Sequence, residues 1–386
     1  MNPKQRLTNK HYVLIITLLV ILFLTYRYFS KEIRMVTLSP EQQQQVDQLL
    51  NNTATRCVGV YLIDLPKQFK APQSNEFYYT YNNEIKIKTE QLYLPPFKQM
   101  IALREQELKN TRPVNPINGD FLKVIHPVPT RNPQIMQGII FERMEKITIP
   151  DVARILEGYR WQDDVALKIE IKATNGLASR YDQDRKDYPD IYNNDVPEKL
   201  AQMYKLFEHI SVRDDYNIPT EPGFCFIYGF MHGGVKEDKH MYFLYRYEES
   251  DDFSIDFNLY DYSYNFSLLD VPDIAMLPSP DSDAHTVYKG TRESNQLVME
   301  ERIMKGMLFS DDNEYYPRKR EGYIFNLGIH LSKKANYKKP RLLLKMHYKI
   351  PQNNHIPSYS EEQLMVIWRE ITNSLRIREG SFADEE

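Results

Sequence analysis

The stretch DDVALKIEIKATN, residues 163–175, sets Val165, Leu167, Ile169 and Ile171 against Lys168, Glu170 and Lys172. A strict period of two puts the first set on one side of a pleated strand and the second on the other, so it predicts a half-buried strand. Such a strand needs partners and a cover, and the chain supplies both. RCVGVYLIDLP (56–66), DFLKVIHPV and QGIIFERMEKITI are strand-like, and so, further on, are FCFIYGFM, HMYFLYRYE, FSIDFNLYDYSY, GYIFNLGIHLS and RLLLKMHYKIP. Helical spacing appears at 39–52, with Ser39 as N-cap and Pro40 in the first turn. It recurs at 93–110, where Phe97, Met100, Ile101 and Leu108 share a face on which Arg104 is an exception, and at 196–210, with Leu200, Met203, Tyr204 and Phe207 in register. NQLVMEERIMKGM (295–307) also reads as a helix. At the chain's end Ser360 and Gln363 form a capping-box-like start, followed by a stripe of Leu364, Ile367, Trp368 and Ile371.

These elements predict an α+β fold of two domains with mainly antiparallel sheets and flanking helices, preceded by an N-terminal membrane anchor helix. The expected divisions are a signal anchor over 1–34, a linker or short helix over 35–54, an N-terminal domain over 55–210, a linker over 211–222 and a C-terminal domain over 223–380. The halves echo each other, each opening on a cysteine-bearing strand and closing on an amphipathic helix, but the match is too thin to establish a duplication.

YVLIITLLVILFLTY, residues 12–26, is an uncharged run preceded by Lys4, Arg6 and Lys10, the layout of a signal peptide or signal anchor. No small-residue cleavage site follows it, and Tyr26, Tyr28 and Phe29 suit a membrane interface. An uncleaved anchor with a short cytoplasmic tail and the body on the far side is expected, with a cleaved periplasmic form or a buried hydrophobic helix as the alternatives. The charge is unevenly spread: residues 1–34 carry six Lys/Arg and one Glu, and the rest 43 Lys/Arg against 52 Asp/Glu. A body this acidic repels a phosphate backbone, which argues against nucleic acid. In an exported chain the only two cysteines, Cys57 and Cys225, are most simply a disulfide, and two buried thiols are the alternative.

A search for chemistry finds no nucleophile elbow, zinc-protease, phosphate-loop or dinucleotide motif. HGGVKEDKH (232–240) gathers His232, Glu237, Asp238 and His240, yet its paired glycines between strands make it a hairpin loop. SPDSDAH (279–285) reads as a turn, because triad members adjacent in sequence rarely meet with the right geometry. KKANYKKPR (333–341) reads as a charged hairpin tip. DQDRKDYPDIYNND (182–195) lacks the spacing and glycine of a calcium loop and reads as an exposed acidic segment. Its Asp182, Asp184, Asp187, Tyr188, Asp190, Tyr192 and Asp195 are the candidate partner-binding residues, since tyrosines with charges suit protein contacts. No catalytic residue, metal, cofactor or small-molecule substrate is expected.

RCVGVYLIDLP, with Cys57, Gly59, Tyr61, Leu62, Asp64, Leu65 and Pro66, and NIPTEPGFCF, with Pro219, Glu221, Pro222, Gly223 and Cys225, resemble the immunity proteins paired with phospholipase (lipase) effectors of the bacterial type VI secretion system. The chain departs from that family at Val60, where arginine is common, and at Ile227-Tyr228-Gly229. Both departures are expected on strand surface. The resemblance implies a non-catalytic protein on the periplasmic side of the inner membrane that binds the incoming toxin and blocks its active site, gripping it between two domains. A membrane-anchored envelope protein with a permanent partner and an unrecognised periplasmic hydrolase are the competing readings.

Overall fold

The computed structural model describes residues 37–79, 84–129, 138–233, 240–248, 250–260, 267–276, 282–310, 319–329, 340–352 and 357–382. The expected anchor, most of HGGVKEDKH and the tip at 333–339 lie outside them. Among the described residues no helix is long and apolar enough to cross a membrane.

The period-two runs pair into a single thirteen-stranded antiparallel sheet. Its order starts at one edge with His285–Ser294, Leu297–Ser310, Lys319–Ile329, Arg341–Lys349, Ser250–Tyr260 and His240–Tyr247. It continues with Ser74–Tyr78, Ile85–Gln91, Val165–Thr174, Ala153–Gln162, Gly138–Met144 and Leu122–Val128. The short strand Phe69–Lys70 pairs beside His240–Tyr247. The halves meet in the middle, where Tyr78 pairs with His240.

Each half follows the same course. A cysteine-bearing hairpin comes first, Thr53–Val58 with Tyr61–Pro66 in one half and Gly223–Phe226 with Gly229–His232 in the other. Two strands follow, preceded in the first half by the short Phe69–Lys70, then a covering segment and four more strands. A helix then closes the half, Val196–His209 or Glu361–Asn373, and leads into a short exit strand, Ile210–Val212 or Arg376–Ile377. The sheet order within the halves is also the same, which makes the fold a tandem repeat that the thin sequence echo could not establish. The stretch 211–222 is more than a tether, since it begins inside an exit strand and buries Arg213 and Asp215.

One face of the sheet carries the core. Ile87, Ile169, Phe243, Phe257, Leu344, Leu327 and Ile303 point the same way and are all buried. The helix Val196–His209 sits close on this face, over Gly158, and Trp368 of the helix Glu361–Asn373 packs 5.5 Å from Phe325. Helix Pro40–Leu50 lies against that second helix, with Gln363 Nε2 donating to Gln42 O at 3.0 Å. Both Ser39 and Ser360 close full capping boxes.

Residues 295–307, expected as a helix, are strand. Asn295 and Gln296 take φ of 48° and 64°, the left-handed pair of a tight hairpin turn, and Leu297–Ser310 is paired on both sides. The strand period was hidden because Glu301 occupies a core-facing position. It is fully buried there, accepting from Trp368 Nε1 at 3.1 Å and from Arg292 and Arg369.

A Cβ on Gly158 would lie 2.6 Å from Met203 Sδ and 3.0 Å from Phe207. Gly158→Val is therefore expected to overpack the helix against the sheet and lose about 1–3 kcal/mol. The check is a lower urea midpoint at unchanged slope.

Candidate functional site

Among the described residues, the opposite face of the sheet is covered only towards its two ends. Between the second and third strands of the first half, helix Leu94–Asn110 packs Phe97 and Leu108 with Phe141 and Tyr159. Arg104, the exception on its apolar face, reaches Glu157 at 2.7 Å. The topologically equivalent segment of the second half is described over 267–276 and 282–284. There the Leu268 N–H donates to Glu300 at 2.8 Å, Arg302 binds Leu268 O and Asp273, and Met276 and Ala284 pack on Met304.

Between these covers the middle strands present an open, mixed strip. Tyr78 and Tyr242 are each 39% exposed on it. Lys86 lies 2.7 Å from Glu76 and over the Tyr78 ring, and the Glu76 contact holds the ammonium above its ordinary range. His347 Nε2 lies 2.7 Å from Asp256 Oδ2, and Asn258 donates to the same carboxylate at 3.2 Å. Partial burial, with Asp256 nearby, pushes the Tyr242 hydroxyl up to about 12, so it stays a neutral donor. No group of three or more metal-ligating side chains occurs among the described residues. In the SPDSDAH turn, Ser282 Oγ donates to Met307 O at 2.7 Å and the His285 ring faces a backbone carbonyl. The strip offers aromatic surface with charges of both signs, the chemistry of a protein contact.

The segment 182–195 stands apart from the strip, beyond the end of Val165–Thr174. It begins as one helical turn, Asp182–Asp187, in which Asp182 pairs with Arg185 and Gln183 Nε2 donates to Asp187 at 3.0 Å. Asp184 is half-buried, whereas Tyr188 and Asp190 are exposed. Tyr192 leans on Tyr181 at 5.3 Å, and Asp195 accepts from the Thr174 N–H at 2.6 Å. Next to the segment, Arg180 donates to Ile117 O at 2.5 Å and pairs with Asp151. Ile117, Leu177, Tyr188 and Ile191 are all about 60% exposed.

The two cysteine motifs meet on the core side. Cys57 and Cys225 form a disulfide across a sequence separation of 168. Gly59 turns the first hairpin at φ 62° and exchanges two main-chain hydrogen bonds with Cys225, at 3.0 and 2.8 Å. The Tyr61 hydroxyl donates to Pro340 O at 2.7 Å. Asp64 accepts from Thr55 at 2.6 Å and pairs with Arg376, and Pro66 ends the strand. Pro219 and Glu221 offer carbonyls to Arg378, the Pro222 carbonyl accepts from the Gly233 N–H, and Gly223, at φ 145°, lies against Met231 O. Val60, Ile227 and Tyr228 are buried in these hairpin turns rather than on strand surface. A turn docked against another hairpin has no solvent face, which local spacing could not show.

Burial alone would raise the Glu157 carboxyl. Hydrogen bonds from Arg104 and Tyr159 and the charges of Arg143 and Lys168 overcome this and hold it well below the usual carboxylate range. A depressed folded value means that its stabilisation is complete above the unfolded value of about 4.3 and is lost as pH falls towards the folded one. Glu157→Gln is expected to cost roughly 3–5 kcal/mol at neutral pH, by stranding two arginines. It should also flatten the fall in unfolding free energy below about pH 4.3, read by urea titrations across pH.

Residues 54–213 match the family described as Tle cognate immunity protein 4 N-terminal domain, and residues 217–380 match Tle cognate immunity protein 4 C-terminal domain. Among solved structures, the apo structure of immunity protein TplEi of T6SS from Pseudomonas aeruginosa is similar at 19% identity and TM-score 0.59, over 86% of this chain and 98% of that one. The crystal structure of the Tle4-Tli4 complex matches at 18% identity and TM-score 0.59, over 86% of this chain and 99% of that one. TplEi complexed with "L" peptide matches at 17% identity and TM-score 0.55, over 85% of this chain and 99% of that one. At these identities the likeness is one of fold. Comparison with curated protein sequences gave no match.

Proposed function

The chain belongs to the Tle cognate immunity protein 4 family, and on that premise we propose that it binds and occludes a cognate phospholipase effector of the type VI secretion system, so protecting the producing cell. The observation that carries this reading is the strip left open among the described residues, flanked on one face by two topologically equivalent covers, helix Leu94–Asn110 and the described residues 267–276 and 282–284. A body wedged between them contacts both halves at once. The action is steric and non-catalytic, and an aromatic and charged floor supplies both the anchors and the selectivity for one partner. The segment 182–195 is a second contact, where Tyr188 and Ile191 are exposed along with Asp182, Asp187 and Asp190.

Residues 12–26 anchor the protein, with its body on the periplasmic side of the inner membrane, where an incoming lipase would be met. A phosphatase reporter fused after residue 382 should be active in the intact chain and inactive once residues 12–26 are removed.

The decisive experiment expresses the neighbouring effector in the periplasm with and without this protein. Rescue of growth and co-purification of the pair are expected; neither occurring refutes the reading. Replacing Tyr78 and Tyr242 together by alanine should weaken the complex by about 10²–10³-fold, since central aromatic anchors contribute about 2–4 kcal/mol. Both are surface residues, so the unfolding midpoint should hold.

A further inference from the structure

The exit strand of each half pairs with the hairpin of the other. Ile210–Val212 leaves the first half's helix and pairs with Gly229–His232, Ser211 opposite Phe230 and Val212 opposite Gly229. Arg376–Ile377 leaves the second half's helix and pairs with Leu62 and Tyr61. The register is equivalent, since Val212 and Ile377 each face the first residue of a hairpin's second strand. An arginine follows in both. The Arg213 N–H donates to Tyr228 O at 3.2 Å and the Arg378 N–H to Val60 O at 2.8 Å, each the second residue of its two-residue turn.

Both side chains then cross the junction. The Arg213 guanidinium donates to Phe226 O and Gly229 O, and also to Cys57 O of the first half at 3.1 Å. The Arg378 guanidinium donates to Pro219 O, Glu221 O and Gly223 O at 2.7–2.9 Å and lies over the Phe230 ring. They are 6% and 2% exposed. Carbonyls held this way have no water to turn to if the guanidinium leaves.

We propose that this reciprocal exchange is a conformational device that fixes the spacing of the two covers before any partner arrives. Where the halves share the large sheet they meet, among the described residues, through Tyr78–His240 and the short pairing of Phe69–Lys70 with Arg246–Tyr247, a narrow joint that alone would bend. The exchange removes that freedom. A hinge between the halves would have to strip both exit strands and empty both arginine cages together. The cleft is therefore preformed, and binding proceeds without opening or closing.

The test uses the full chain with Ala102→Cys and Ile274→Cys, exposed positions on the two covers. Cys57 and Cys225 are held in the disulfide, so spin labels attach only to the new thiols. Pulsed electron resonance is expected to give one narrow distance peak, unchanged on adding the effector. Two populations in the free protein, or a shift on binding, would overturn the proposal. Arg213→Gln with Arg378→Gln should broaden the peak; a folded double variant that keeps the narrow peak removes the role of the exchange. If that variant does not fold, hydrogen exchange of the native chain decides. The Arg213 and Arg378 amides should exchange only through global unfolding, and faster local opening contradicts the device. Only the binding arm rests on the proposed function. An effector that forms no complex would sink that reading and leave the distance distribution of the free protein as the test of this one.

Discussion

Burial of one face of the long antiparallel sheet is the constraint from which the rest follows. Each core position such as Ile169, Phe243 or Leu344 gains about 1.5–3 kcal/mol by leaving water, and the alternation of the strands commits all of them to the same side. A slip of one residue in any strand would turn its whole apolar set outward. The closing helices and the two cysteine hairpins gather on that side. Among the described residues, the other face is covered only where one segment of each half, helix Leu94–Asn110 or residues 267–276 and 282–284, lies over it. The open strip between those covers results from placing the core, and it suits a partner because its side chains are the polar and aromatic members of core strands.

The covers are held by charge as well as apolar contact. Arg104 of the first cover pins to Glu157 in the sheet, and Arg302 in the sheet pins to Asp273 of the second. Ion pairs in such places add little net stability, because desolvation offsets attraction. What they supply is position: a cover displaced by one turn would leave a charge without its partner. On the core face, Glu301 does the same for the helix Glu361–Asn373 through Arg369 and Trp368.

Features set by neighbours in sequence were legible in it. The 163–175 strand, the amphipathic helices at 93–110, 196–210 and the chain's end, and the Ser360–Gln363 box follow from period and capping; the pairing of Cys57 with Cys225, though distant, follows from redox chemistry and a count of two cysteines. What was not legible depends on contacts between distant segments. Glu301 in an apolar position hid the strand at 297–310, although Asn295 ahead of it could have signalled a left-handed turn. Val60, Ile227 and Tyr228 looked like surface because nothing local reveals a docked hairpin. The exchange of exit strands ties Ile377 to Tyr61 and Arg213 to Cys57, which are far apart in the chain, and only the echo of Val212-Arg213-Asp214 in Ile377-Arg378-Glu379 hinted at it. The acidic segment 182–195 drew notice by composition, whereas the strip is assembled from alternate residues of many strands and has no signature in any one of them.

The central claim is that a lipase effector sits on the strip between the two covers. A photo-crosslinking residue placed at Tyr78, at Tyr242, and at Gln44 on the outer helix Pro40–Leu50 tests it in the native complex. The account predicts covalent capture of the effector from Tyr78 and Tyr242 and none from Gln44. Capture from Gln44 with none from either tyrosine would contradict it.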